Sequence, residues 1–185
     1  MRIACAAIVA MAALWAAPSA AQMDLTTTNP MIDGAAVGNV DVVEYWIKRG
    51  MNADLRDQSG RTALIFGAFV GSPEIVRLLL DAGATVDRQD NGGNSALGWA
   101  AQQGAYEVVR ILVEANAKVN LQNGQGITPL MQATAGGYYD VVQYLLENGA
   151  DMNLQDYTGR NALELARNGR NRDVLKLLEQ ADSRR

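Results

Sequence analysis

A period of 33 residues runs through this chain and constrains its fold more than any other feature. Gly60, Gly93, Gly126 and Gly159 mark it, and the surrounding pattern moves with them. "SGRTALIFGAFVGSPEIVRLLLDAGATVD" from Ser59, "GGNSALGWAAQQGAYEVVRILVEANAKVN" from Gly92 and "QGITPLMQATAGGYYDVVQYLLENGADMN" from Gln125 align without a gap. Self-similarity at such a period means units that cannot bury their apolar faces alone and must stack into one continuous core.

Local chemistry predicts the shape of each unit. Asp57, Asp90, Asn123 and Asp156 stand three residues before the shared glycine, the pattern of a type I turn with an Asx residue first and glycine fourth. Thr62, Ser95, Thr128 and Asn161 follow as helix N-caps, and Pro129 occupies a first helical position, where its missing N–H is not needed. The first helix is short, with Ala68, Ala101 and Thr134 at one repeated position, and stops at Gly71, Gly104 or Gly137. The second helix carries the core stripe: Ile75, Val76, Leu78 and Leu79, then Val108, Val109, Ile111 and Leu112, then Val141, Val142, Tyr144 and Leu145. Gly83, Asn116 and Gly149 close it, Asn being the common substitute for Gly in the left-handed conformation.

Turn plus two antiparallel helices, with "TPLMQAT" from Thr128 near the signature T-P-L-H-x-A, resembles the ankyrin-repeat family over nearly the whole chain. The fold expected is an all-α repeat solenoid of about five units with β-turn or hairpin loops between helix pairs. The repeats are read as 24–56, 57–89, 90–122, 123–155 and 156–185, the first recovered by stepping back one period from Asp57 to Asp24. The signature His is replaced by Ile32, Ile65, Gly98, Met131 and Glu164, so the polar network implied by the resemblance is missing, and either apolar packing compensates or the stack is looser. Arg167 and Glu179 stand where earlier units have small or apolar residues, giving the last unit the polar outer face of a cap, and Glu164 with Asn161 reads as a capping box. Trp99, Phe66 and Leu165 share a core-like position, Tyr45, Trp46 and Tyr144 lie on the second-helix stripe and read as core, and Tyr106, Tyr138 and Tyr139 read as partly buried.

Residues 1–21 differ in kind. Arg2, an apolar run from Ile3 to Ala17, Pro18 and the small residues Ser19 and Ala21 read as a secretory signal cut before Gln22, leaving 22–185 as the repeat domain without stable membrane insertion. Periplasmic localisation is expected, with release to the medium as the alternative. Cys5, the single cysteine, falls inside the signal, so the mature chain has no disulfide, and there is no histidine anywhere. The usual zinc and copper ligands and every Ser-His or Cys-His pair are thereby removed. Catalytic residues, metals and cofactors are expected to be none. Residues 22–159 hold 8 Lys+Arg against 16 Asp+Glu, whereas residues 160–185 hold 7 against 4. An acidic body argues against nucleic acid as the partner.

The resemblance implies a binding scaffold whose contact surface comprises the turn tips and first helices. Carried over by position, the tips are Gln58, Ser59 and Arg61; Asn91, Gly92 and Asn94; Gly124, Gln125 and Ile127; and Tyr157, Thr158 and Arg160. The helices add Phe69 and Val70, Gln102 and Gln103, and Ala135 and Gly136. Phe69 is the expected anchor, with packing on Phe66 or the adjoining unit as the competing role. The implied function is non-catalytic binding, by a monomer, of a protein of the cell envelope as inhibitor, protector or stabiliser. A secreted effector binding a host protein is the alternative. A carboxylate-based hydrolase is disfavoured because Asp57, Asp90 and Asp156 recur at a fixed scaffold position.

Overall fold

The computed structural model describes residues 29–169 and 171–183; the expected signal segment and the expected turn at Asp24 lie outside the described residues. Ten helices appear there: α1 (Pro30–Ala36), α2 (Val40–Lys48), α3 (Ala63–Val70), α4 (Pro73–Asp81), α5 (Ala96–Gln103), α6 (Tyr106–Glu114), α7 (Pro129–Gly136), α8 (Tyr139–Glu147), α9 (Ala162–Asn168) and α10 (Arg172–Asp182). They pair within units and stack between them. The odd-numbered helices form one layer in which each touches the next, and the even-numbered helices form a second layer behind it. Among the described residues the only β pairing is an isolated bridge, Gln89 to Ser95, at the base of a turn. The solenoid expected from the period is therefore the fold found.

Helix starts follow the capping chemistry. The side chains of Thr62, Ser95, Thr128 and Asn161 each accept a bond from the backbone N–H three residues on, and Asn161 with Glu164 completes the capping box. First helices α3, α5 and α7 end on left-handed Gly71, Gly104 and Gly137. The closing positions after α4, α6 and α8 share a positive φ, 83° at Gly83, 62° at Asn116 and 83° at Gly149. Asn116 is the only non-glycine with positive φ among the described residues. α9 is shorter than α3, α5 and α7, and Gly169 after it is extended, with no left-handed stop.

The core lies between the two helix layers. Leu64, Leu97 and Leu130 from the first layer meet Leu79, Leu112 and Leu145 from the second, all essentially solvent-free. Ala35, Ala68 and Ala101 are fully buried at the small position, which lets first helices approach closely. Apolar packing replaces three of the absent signature histidines, Ile32, Ile65 and Met131 being buried in the core, whereas the room left by Gly98 is taken by the Gln132 amide and Glu164 is used in the capping box.

Several aromatic assignments are corrected. Tyr45, read as core, is 44% exposed. Its position lies at the rim of the stripe, where Leu78 and Ile111 fit in later units, and its longer ring turns outward, edge-on to Trp46 and covered by the Arg49 guanidinium at 4.5 Å. Trp46 and Tyr144 are half-buried against the core, and so are Phe66, Trp99 and Leu165. Tyr106, Tyr138 and Tyr139 are partly exposed, as their place near the inter-helix turns implies.

Candidate functional site

The turn tips are built alike. Asp57 Oδ1 accepts the N–H groups of Ser59 and Arg61, each at 2.8 Å, while the Gly60 N–H reaches the Asp57 carbonyl. Asp90, Asn123 and Asp156 repeat this arrangement. A carboxylate or amide oxygen is thereby spent on turn geometry in every unit, which is the structural reason these acids recur.

Tips are also stitched to one another through the backbone. The N–H of Asn91 donates to Ser59 O at 2.9 Å, that of Gly124 to Gly92 O at 2.8 Å, and that of Tyr157 to Gln125 O at 3.0 Å. Glycine is required at Gly93, where φ is 79° and a Cβ would stand 2.5 Å from the Gly124 nitrogen.

Two further ladders escape sequence reasoning. Arg56 donates to the Gly60 carbonyl of the turn it leads into at 2.8 Å and to the Gln89 carbonyl one period further on at 2.6 Å. Gln89 repeats this with the carbonyls of Gly93 and Gln122, and Gln122 with those of Gly126 and Gln155. The recurrence of long donors at one position, Arg56, Gln89, Gln122 and Gln155, was the available signal. At the other edge of each loop, Asp54 binds the N–H and hydroxyl of Thr85, Asp87 accepts the Lys118 N–H at 2.9 Å, and Asn120 accepts the Asp151 N–H at 2.8 Å. Burial alone would raise the Asp54 carboxyl, but the Thr85 bonds and the Arg88 guanidinium hold it below its ordinary value. These bonds supply the polar stitching that the missing histidines do not.

The expected contact residues lie on one side of the stack, on the tips and the outer turn of the first helices. Gln58, Ser59, Asn91, Gly92, Gln102, Gln103, Gly124, Gln125, Ala135, Gly136, Tyr157, Thr158 and Arg160 are exposed, whereas Arg61, Asn94 and Ile127 are half-buried. Among the described residues Tyr157 is the most exposed of the large hydrophobic side chains, at 78%. Phe69 is 44% exposed and packs edge-on against Trp99 of the next unit, ring centres 5.3 Å apart, the contact with the adjoining unit that was the competing role. Val70 beside it is equally open.

Arg61 is less free than its position suggested. Its guanidinium pairs with Asp57 at 2.9 Å and lies 4.4 Å above the Phe66 ring. Arg160 pairs with Asp156 at 2.9 Å. The Thr158 hydroxyl and the Arg160 N–H hold the Asp156 carboxyl well below the usual carboxylate range. Asn94 binds both Asp90 and Asn123, and the Trp99 indole N–H donates to Asp90 at 3.0 Å.

Behind this face the second helices carry further ion pairs. Arg77 on α4 reaches Glu107 on α6 at 2.7 Å, and Arg110 joins Glu107 to Glu114 along α6. Hydrogen bonds from Arg110 first, and from Arg77, keep Glu107 below its ordinary value.

At the far end of the contact face, where the shortened α9 leaves room, a cavity of about 520 Å³ opens between Gly136 and Gly137 of one unit and Asn171 and Arg172 of the next. Thr134, whose buried hydroxyl has no partner among the described residues, is among its lining residues.

A family model described as ankyrin repeats in three copies matches residues 31–123 and again 116–184. Among curated proteins no sequence matches the chain. With paired helices stacked at the 33-residue period, Asx-built tips and the family pattern spanning the described units, this chain belongs to the ankyrin-repeat family, whose repeats serve as protein-binding scaffolds.

Proposed function

We propose that the chain is an exported, non-catalytic scaffold that binds a protein of the cell envelope and restrains or protects it. The observation that carries this reading is the row of exposed tip and first-helix side chains held on a backbone ladder running from Ser59 to Tyr157. Such a surface is ordered before it meets its partner, so association costs little further ordering entropy. Its tips consist of Gln, Ser, Gly, Asn, Tyr and Arg, the adaptable polar and rigid amphipathic types that also make up antibody combining sites. Export rests on the leader-like residues 1–21, and with it the periplasmic destination.

The test is chemical crosslinking in intact cells, followed by fractionation and mass analysis. The expected result is a chain beginning at Gln22 in the periplasmic fraction, linked through tip residues to one envelope protein. A full-length mass in cytoplasm, or links formed only through second helices, overturns the reading.

A further inference from the structure

In the three middle units the helical charges are sorted by layer, whereas the end helices of the first layer, α1 and α9, carry Asp33 and Glu164 with Arg167. α3, α5 and α7 contain no Asp, Glu, Lys or Arg. In the layer behind, α2, α4, α6, α8 and α10 each carry at least two. In the three tips attached to α3, α5 and α7, the charges present are already engaged. Asp57 and Arg61 hold each other, Asp90 binds backbone N–H groups and Trp99, and the third tip uses neutral Asn123. Arg56, at the base of the first of them, spends its guanidinium on two carbonyls.

From this segregation we infer that the occupant of the face is an uncharged, extended polypeptide segment of the partner. The inference rests on the protein-binding reading above and narrows it. A charged side chain brought down on α3 or α5 would lose water and find no counter-charge on either helix, whereas past α7 the charged side chains of Arg172 and Asp173 adjoin the row at the cavity. The exposed amides of Gln58, Asn91, Gln102, Gln103 and Gln125 each carry both donor and acceptor groups, the complement of main-chain amides. Phe69 and Val70 offer an apolar seat at one end of the row. At the other end Ala135 presents only a methyl group, and the space beside Gly136 is taken by the Tyr138 ring. Two helix spacings of about 8–10 Å separate α3 from α7, a distance covered by about five or six residues of extended chain. Binding of this kind depends little on salt, because no ion pair forms across the contact.

A displayed random peptide library panned on the purified protein tests this, with selected peptides synthesised and titrated at low and high sodium chloride. The expected peptides lack charged residues and hold their affinity within about twofold from roughly 50 to 500 mM salt. They also lose about tenfold or more in affinity to a Gln102→Ala, Gln103→Ala variant whose melting curve matches the parent. Enrichment of strongly charged peptides whose binding collapses with salt but still requires Gln102 and Gln103 overturns the uncharged-segment inference and leaves the scaffold reading standing. No enrichment, or peptides sensitive only to Arg77→Ala and Arg110→Ala, overturns both.

Discussion

The Gln89 side-chain nitrogen donates to the main-chain carbonyl of Gln122, one full repeat away, at 2.9 Å, and also binds the Gly93 carbonyl within its own turn. One amide thus fixes both the shape of a tip and its register on the next. Gln89→Ala leaves two half-buried carbonyls without this donor and should destabilise the stack by roughly 1–2 kcal/mol. Gln58→Ala, on an exposed side chain that donates no bond, should change stability by less than about 0.5 kcal/mol. Urea unfolding of the two variants decides the point, equal midpoints being incompatible with a ladder that stabilises.

Backbone strain can be separated from crowding at two left-handed glycines. A Cβ at Gly149 meets no atom within 4 Å, so Gly149→Ala reports the left-handed conformation alone and should cost about 1–2 kcal/mol. At Gly93 the same methyl also strikes the Gly124 backbone at 2.5 Å, so Gly93→Ala should be the more damaging of the two. Asn116→Gly should be close to neutral, since its φ of 62° is one glycine adopts freely. Thermal midpoints ranked in any other order contradict this account.

Phe69 and Arg61 require different controls in any binding study. Phe69→Ala should weaken a partner that uses the tip face by about 2 kcal/mol or more, roughly thirtyfold. Part of the stability change will come from the lost Trp99 contact, so melting curves must accompany the affinities. Arg61→Glu should itself disturb the fold, because it places a carboxylate beside Asp57 and uncovers Phe66. Its midpoint should fall by more than that of Arg77→Ala, whose pair with Glu107 is exposed and contributes little. Retained affinity in Phe69→Ala with loss in Arg77→Ala would place the contact on the second helices.

Asp156 should give the stability curve an acid limb. Its folded-state carboxyl is held low by the Thr158 hydroxyl and the Arg160 backbone and guanidinium, against the opposing pull of burial. A depressed folded value means that the stabilisation is complete above the unfolded value near 4 and is lost as pH falls through the folded one. Asp156→Asn, the arrangement already present at Asn123, keeps the Oδ1 acceptor and loses the Arg160 pair. The variant should melt lower than the parent at pH 7 and approach it as the pH is taken below about 4. A gap that widens in acid would assign the acid limb to other groups.

Most of the scaffold was legible along the chain. Caps at Thr62, Ser95, Thr128 and Asn161, stops at Gly83, Asn116 and Gly149, and the Asx turns all act within a few residues, so spacing alone exposes them. The buried stripe was legible because a helix repeats its faces every few positions. Misreadings gathered where neighbours decide the outcome. Tyr45 has the pattern of a core residue and turns out to solvent beneath Arg49, while Arg61 has the pattern of a free tip residue and is held by Asp57 and Phe66.

The sequence by itself determined the repeating unit, its turns and helix ends, and which side of each second helix is buried, because these follow from interactions between residues close in the chain. Only the tertiary structure decided that Gln89 stitches one unit to Gln122 in the next, that Phe69 shares its ring with Trp99, and that the charge-bearing helices stand behind an uncharged row. Each of these depends on the rise and register between stacked units, which bring together side chains about 30 residues apart.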